Sequence, residues 1–465
     1  MLGTTVSLQS KKALYTGEFE TMRKPTTRRS FLKGAAAGIV LPAGAISIAG
    51  AYPANTKVRH AACGVTGMGG YDLRMLASSP HSEIVALCDI DDGHLGSAAK
   101  LHKKAAQYND FRKMFDKEHK NIDSCHVTVP DHMHAPITMT ALNYGKNVYC
   151  QKPLCHEIDE ARKIRLAAKK AGVVTQMGIQ IHSHVAYRTG VEVIRSGAIG
   201  KVRAVHTWAD RAWSNGGRPK PTPAPKNVHW DLWLGVAPER PWGPNSYHPK
   251  KWWSWLDFGT GNLGDMGCHL FDPVINSIQY GAPSSVRAEC KAPANETWPN
   301  AGKVAFNFPK TPYTDGNTVM TWYDGGFKKG HHPSPDLLPS KERVKLPSQG
   351  SIFIGEKGAM LLPHWSTPKL FPEENFADYK MPEPGSVNHW HSFIDACRGE
   401  GKTGASFEYA GPFTETILLG NLAKRFPTQE LKWDAPNLKV TNFSEANNFI
   451  GRKYRKGWEI DGLSS

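Results

Sequence analysis

The sequence predicts an α/β protein of two domains: a parallel sheet covered by helices on both faces, then an α+β domain with an open, mostly antiparallel sheet. Three observations predict this. From residue 57, strand-like and helix-like segments alternate, as in βαβ units. A glycine-rich turn, Gly64-Val65-Thr66-Gly67-Met68-Gly69, ends the first of those strands and opens the first helix. After about residue 180 the alternation gives way to successive strand-like runs.

In chain order, Val58 to Val65 reads as a strand and Met68 to Ser78 as a helix ended by Ser79-Pro80. Glu83 to Asp89 and Ile122 to Val129 read as strands, the latter ended by Pro130. A helix over Ala135 to Asn143 stops at Gly145, and Asn147 to Cys150 forms a short strand. Ile158, Ala161, Ile164 and Ala168 recur at helical spacing in a segment stopped by Gly172. Residues 57–178 therefore form the first domain and 179–465 the second. In the second, a helix over Val185 to Ser196 ends at Gly197. Strands are expected at Val202–Ala209, Val304–Phe308, Thr318–Tyr323 and Ser351–Ile354. Prolines at 219, 221, 223 and 225 make residues 216–227 an extended loop.

Ahead of the sheet, Thr27-Arg28-Arg29-Ser30-Phe31-Leu32-Lys33 precedes an uncharged run from Gly34 to Ala51 that closes on Ala49-Gly50-Ala51. A basic start, an apolar middle and a small-residue cleavage site describe a twin-arginine signal over residues 1–51, not a membrane span. The expected partner is the twin-arginine translocase, and the expected location is periplasmic or otherwise extracytoplasmic. That route carries folded proteins, so a bound nucleotide can travel with its passenger.

The 465 residues carry a formal charge of +15, of which residues 1–51 hold seven Lys/Arg and two Asp/Glu. The remaining surplus, near +10, is scattered, which argues against nucleic acid as a partner. No Cys-x-x-Cys occurs among eight cysteines, and Cys63, Cys88, Cys125 and Cys150 sit in or beside apolar strand-like runs, as buried free thiols do.

Three constellations carry chemistry. Gly64, Gly67, Met68 and Gly69 form a turn that can bring backbone N–H groups to a pyrophosphate at a helix N-terminus. The third glycine of that fingerprint falls on Asp72. Asp89 ends the second strand, where an acid hydrogen-bonds the adenosine ribose, and the neighbouring Asp91 and Asp92 disfavour a 2′-phosphate, so NAD is expected over NADP. Gln151-Lys152-Pro153 follows a strand directly, placing Lys152 at its carboxyl end. In Gly259-Thr260-Gly261-Asn262-Leu263-Gly264-Asp265-Met266-Gly267-Cys268-His269, Asp265 and His269 are four apart, so one helix face would carry both and the carboxylate would orient the imidazole. The glycines would let a substrate come close. No further ligands make this pair a metal site.

In order and spacing, Gly64–Gly69, Asp89, Pro130-Asp131-His132-Met133-His134, Lys152-Pro153 and Gly264-Asp265-x-x-x-His269 resemble the glucose–fructose oxidoreductase/inositol dehydrogenase/rhizopine-catabolism (Gfo/Idh/MocA) family. The resemblance runs from about residue 57 to the C-terminus. It implies a Rossmann domain, a C-terminal domain with an open sheet, and sugar or polyol substrates. It implies Lys152 and His269 as the catalytic pair with Asp265 supporting His269, which takes a hydroxyl proton while hydride passes to the nicotinamide. Pro130, Asp131, His132 and His134 would line the nicotinamide side. Gln151 stands where the family carries Glu, leaving Lys152 without a neighbouring acid. A homo-oligomer, dimer or tetramer, is implied as well.

Trp213, His229, Trp230, Tyr247, His248, Trp252 and Trp253 are candidates for a sugar pocket, with His269 also facing the substrate, because aromatic faces pack on pyranose C–H groups; core or dimer-interface packing is the alternative for most of them. The function expected is oxidation of a sugar hydroxyl with tightly held NAD. The alternative is an NAD-dependent glycoside hydrolase working by transient oxidation, elimination and re-reduction; a silent sugar-binding protein is a third possibility.

Overall fold

The computed structural model describes residues 56–212, 217–326 and 331–464. The expected signal over residues 1–51 and Trp213 lie outside them. The first sheet is assembled from β1 (Val58–Cys63), β2 (Ser82–Cys88), β3 (Ala106–Tyr108), β4 (Ser124–Val127), β5 (Asn147–Gln151) and β6 (Thr175–Gly178). Its order is β3-β2-β1-β4-β5-β6, all parallel, the strand order of a dinucleotide-binding Rossmann fold. Helices α1 (Met68–Ala77), α2 (Asp92–Leu101), α3 (Phe111–Glu118), α4 (His134–Asn143) and α5 (Ile158–Ala171) connect the strands. Strand β4 is buried along its whole length, as a central parallel strand must be. Helix α5 starts in a capping box of Glu157 and Glu160 and stops at Gly172, whose φ of 65° is left-handed, so the expected stop signal acts as a C-cap.

The second domain adds α6 (Val185–Arg195), β7 (Val202–Ala209), α7 (Trp230–Leu234), α8 (Cys268–Ile278), β8 (Ser285–Cys290), β9 (Gly302–Phe308), β10 (Thr314–Asp324), β11 (Gln349–Gly355), β12 (Ala359–Pro363) and β13 (Lys369–Phe371). Helices α9 (His389–Cys397) and α10 (Phe407–Arg425) and strands β14 (Glu430–Asp434) and β15 (Lys439–Val440) complete it. The nine-stranded sheet runs β13-β12-β11-β7-β10-β9-β8-β14-β15 and is antiparallel except where β7 meets β10. Helix α8 lies on one face, with Phe271 against Phe306 and Trp322.

The two domains do not divide the chain cleanly at residue 178. Trp390, Phe393, Ile394 and Cys397 of α9 pack on Val58, Leu76 and Tyr149, so a late helix covers part of the first sheet. The cysteines are free thiols, as expected, and all but the half-buried Cys290 are buried. No helix among the described residues is long and apolar enough to cross a membrane.

Candidate active site

The glycine turn is built for close approach. Gly64 has φ 86°, and a Cβ there would meet the Thr128 carbonyl oxygen at 2.0 Å. A Cβ on Gly69 would meet the Gly64 oxygen at 2.4 Å. Gly67, with φ 56°, has nothing within 4 Å of its Cβ position: the conformation needs glycine while the space in front stays open. Asp89 fixes the turn by accepting from Val65 N at 3.0 Å and Asp91 N at 3.0 Å, and an ionised carboxylate has further lone pairs for ribose hydroxyls.

Gly64, Gly67, Met68, Gly69, Asp89 and Pro130 line one cavity of about 590 Å³. Its size, its glycine floor and the acid at one end fit NAD. His248, Trp252 and Trp253 roof it from the second domain. These side chains therefore line the same cavity as the glycine turn and Asp89. The cause is a set of ties between their segment and the end of β2. His248 Nε2 lies 3.2 Å from Asp91 Oδ2, His229 Nε2 lies 3.0 Å from Asp92 Oδ1, and Asn227 Nδ2 donates to Asp91 Oδ1 at 3.0 Å. Tyr247 is buried among Trp233, Trp255 and Phe258 and is core, and Trp230 stacks on Trp233 at 4.7 Å.

The Pro130–His134 segment is mostly scaffold. His132 is buried with Nε2 3.0 Å from the Trp233 carbonyl, and His134 lies between the carbonyls of Pro153 (2.7 Å) and Val129 (2.8 Å). Neither lines the cofactor cavity, contrary to expectation; both rings tie loops together. Asp131 accepts from the Thr260 N–H (3.0 Å) and hydroxyl (2.6 Å). Burial pushes its carboxyl up to about 7 against the pull of Thr260 and Lys152.

Lys152 sits at the end of β5 and its ammonium pairs with the Asp265 carboxylate. The expected Asp265–His269 pairing gives way to this one. Residues Leu263–Gly267 form a π-helical turn, whose i→i+5 bonds break the four-residue register that would stack the two side chains. Asp265 thus supplies the acid that the Gln at 151 withholds. Burial lowers the Lys152 pKa, but the charge of Asp265, with that of Asp131, outweighs it and the net shift is upward, so Lys152 is a cation at neutral pH. Gln151 is turned away from the cavity, donating to Asp72 Oδ2 at 3.1 Å and accepting from Lys152 N at 2.9 Å.

His269 is buried, and its Nδ1 has no hydrogen-bond partner. Burial, then the charges of Lys152 and His364, hold its pKa well below 6.5, so it is a neutral imidazole beside a fixed cation. His364 lies 5.6 Å from it, ring to ring, and is itself held by the Tyr187 hydroxyl at 2.7 Å. Neither was foreseen from the sequence, and the β11–β12 hairpin that leads to His364 carries no motif. The glycines before His269 serve packing: a Cβ on Gly259 would strike the Trp253 backbone at 2.2 Å, and one on Gly264 the Thr260 hydroxyl at 1.9 Å.

A cation thus stands at the carboxyl end of a parallel strand with a neutral, buried imidazole near it, in a fold whose glycine turn lines a cavity fit for a dinucleotide. Residues 58–179 match the family model for the NAD-binding Rossmann fold of the GFO_IDH_MocA oxidoreductases, and residues 196–329 match the model for the C-terminal α/β domain of that family, together just over half of the chain. The chain belongs to the Gfo/Idh/MocA family. Among similar Gfo/Idh/MocA-type proteins, inositol 2-dehydrogenase of Salmonella typhimurium is 32% identical over 149 residues, covering 31% of this chain and 44% of that protein. The dTDP-3,4-didehydro-2,6-dideoxy-alpha-D-glucose 3-reductase of Streptomyces violaceoruber is 32% identical over 155 residues, covering 32% and 44%. The chain thus aligns with less than half the length of these curated relatives. The Bordetella pertussis WlbA dehydrogenase, solved with NADH and UDP-GlcNAcA, shares the fold at TM-score 0.58 and 15% identity over 81% of this chain and 99% of that one. An inositol dehydrogenase homolog from Azotobacter vinelandii, solved with NADH and myo-inositol, shares it at TM-score 0.55 and 16% identity over 81% and 98%.

Proposed function

We propose that the protein is an exported NAD-dependent oxidoreductase acting on a hydroxyl of a sugar or sugar derivative, with the cofactor held tightly between turnovers. The observation that carries this is a charged Lys152, paired with Asp265 at the end of β5, near a neutral, buried His269, in a fold whose glycine turn lines a dinucleotide-sized cavity. When bound, NAD supplies the hydride acceptor. Lys152, held by Asp265, polarises and orients the substrate oxygen. His269 takes the hydroxyl proton on its imidazole, which is free of charge and so able to accept it. The sugar class is supported by the relatives named for inositol and a dTDP-sugar.

Export through the twin-arginine translocase to the periplasm rests on Arg28-Arg29 and the apolar run after them. Changing Arg28 and Arg29 to Lys should hold the protein in the cytoplasm on fractionation; unchanged export would sink that assignment. A homo-oligomer, dimer or tetramer, is supported by the part of the nine-stranded sheet where His206 and Tyr323 stand half-buried and Val319 exposed, and sedimentation velocity tests it.

The roof of His248, Trp252 and Trp253 over the cleft favours slow cofactor exchange, and with it the second reading: redox-neutral glycoside cleavage by transient oxidation, elimination, hydration and re-reduction. The deciding experiment releases nucleotide from protein purified without added cofactor and quantifies NAD(H) and NADP(H). Near-stoichiometric NAD is the expected result, with Lys152→Ala abolishing turnover while retaining NAD. A protein that neither carries nor binds NAD would overturn the oxidoreductase reading. Release of aglycone without net NADH would select the hydrolase.

A further inference from the structure

Beside the cofactor cleft lies a second, open depression of about 680 Å³. Met68 lines both, so the two adjoin at the start of α1. Its walls are unusual for a soluble surface. Of the ten large apolar side chains most exposed among the described residues, five line it: Met68, Tyr71, Val185, Trp365 and Val387. Trp365 is 46% exposed.

The aromatic rings here are fixed in place. Trp365 is held edge-on by His184 at 4.8 Å and by His364 at 5.2 Å. Tyr71 rests edge-on against Trp390 at 5.3 Å, and Trp390 is anchored by its Nε1 to Asp72 at 2.8 Å. Gln180, Ser183, Ser386 and Asn388 supply a polar rim, and Gln180 Oε1 has no hydrogen-bond partner. Among the described residues no Lys, Arg, Asp or Glu lines the depression itself; Arg74 over the Tyr71 ring at 5.2 Å and Arg188 on the Gly385 carbonyl at 2.7 Å stand only at its edge. A phosphate or carboxylate seated within the depression would have no cation in its lining to pair with. An uncharged saccharide finds apolar platforms for its C–H faces and hydrogen-bonding groups for its hydroxyls. His364 contacts both Trp365 and His269, so a single side chain separates the depression from His269.

We propose that this trough holds the second unit of an uncharged saccharide, a neighbouring sugar or an aglycone, whose reacting ring stands at Lys152 and His269. The inference rests on the oxidoreductase reading of those two residues. The trough therefore selects neutral glycosides and disaccharides over both monosaccharides and nucleotide sugars.

The test is calorimetric titration of the NAD-loaded Lys152→Ala protein, which binds without turning over. The probes are glucose, galactose and N-acetylglucosamine, the disaccharides cellobiose, maltose, lactose and chitobiose with their p-nitrophenyl glycosides, and UDP-glucose. At least one neutral disaccharide or aryl glycoside should bind tenfold or more tightly than its monosaccharide, and adding Trp365→Ala should erase that difference, with retained NAD as the check on folding. Tighter binding of UDP-glucose, a preference that survives Trp365→Ala, no binding by any neutral probe, or an oligomer that Trp365→Ala dissociates would each overturn it. Failure of the oxidoreductase reading shows separately, as the wild-type protein binding saccharides that never reduce its NAD.

Discussion

Gln151 Nε2 donates to Asp72 Oδ2 at 3.1 Å, so the two positions at which the chain departs from the nucleotide-binding and Lys-Pro motifs touch each other. The residues that stand where an acid and a glycine were expected are hydrogen-bonded to each other. Asp72 also accepts from Thr128 Oγ1 at 2.9 Å and Trp390 Nε1 at 2.8 Å. Burial nevertheless raises its pKa to about 6.

A folded pKa of about 6 against an ordinary 3.8 means that the folded state binds the proton more tightly. This group's contribution is therefore greatest below pH 4 and is lost as pH rises towards 6. Gln151→Glu sets a second carboxylate against the first and extends that loss upward. The expected cost is about 1–3 kcal/mol at pH 8, and much less at pH 5. Asp72→Asn added to Gln151→Glu should recover most of it. Urea denaturation at the two pH values checks both.

Asp265→Asn removes the charge that holds the Lys152 pKa up against burial. Lysine is a cation below its pKa, so the alkaline limb of kcat/KM should move towards neutrality. A pH profile with an unmoved alkaline limb would show that Asp265 does not set the Lys152 charge.

For His269 the sign is opposite. Its pKa lies well below 6.5, so the imidazole stays neutral into mildly acid solution and the acid limb of the rate profile should fall below pH 6.5. His269→Gln should lower kcat about 10²- to 10⁴-fold. NAD content should be retained, since His269 does not line the dinucleotide cavity.

The glycine turn separates folding from binding. Gly64→Ala places a Cβ 2.0 Å from the Thr128 oxygen, and the protein should lose both stability and NAD. Gly67→Ala meets no protein atom within 4 Å. Its left-handed backbone costs about 1–2 kcal/mol, yet the added methyl points into the space left for phosphates, so the fold should survive while NAD affinity drops. Thermal melts and NAD titration of both variants would tell them apart.

Local signals carried much of the first domain. Gly172 and Gly197 stop helices as expected because a left-handed C-cap is a property of one residue. The short strand β3 and helices α2, α3, α9 and α10 were not foreseen: α2 carries weak periodicity, whereas the apolar face of α3 spans only eight residues. At the site, the glycine turn, Asp89 and Lys152 were legible because each follows a strand directly. The Asp265 partner was misassigned because the π turn changes the helical register without changing the sequence spacing. That His248, Trp252 and Trp253 line the cavity of the glycine turn was not legible, because only tertiary ties to Asp91 and Asp92 decide where that segment lies. His184 offered a missed signal: Gln180-Ile181-His182-Ser183-His184 follows β6 directly, at the carboxyl end of a parallel strand.

Trp390 reaches Asp72 across 318 positions of chain, and its helix seals the side of the sheet that β1 and α1 begin. Synthesis reads that interval in one direction. Arg28 and Arg29 leave the ribosome early, whereas the nucleotide fold gains its last wall only after residue 397 has emerged. A chain cut short before residue 389 would therefore leave Val58, Leu76 and Tyr149 uncovered, however complete its first sheet.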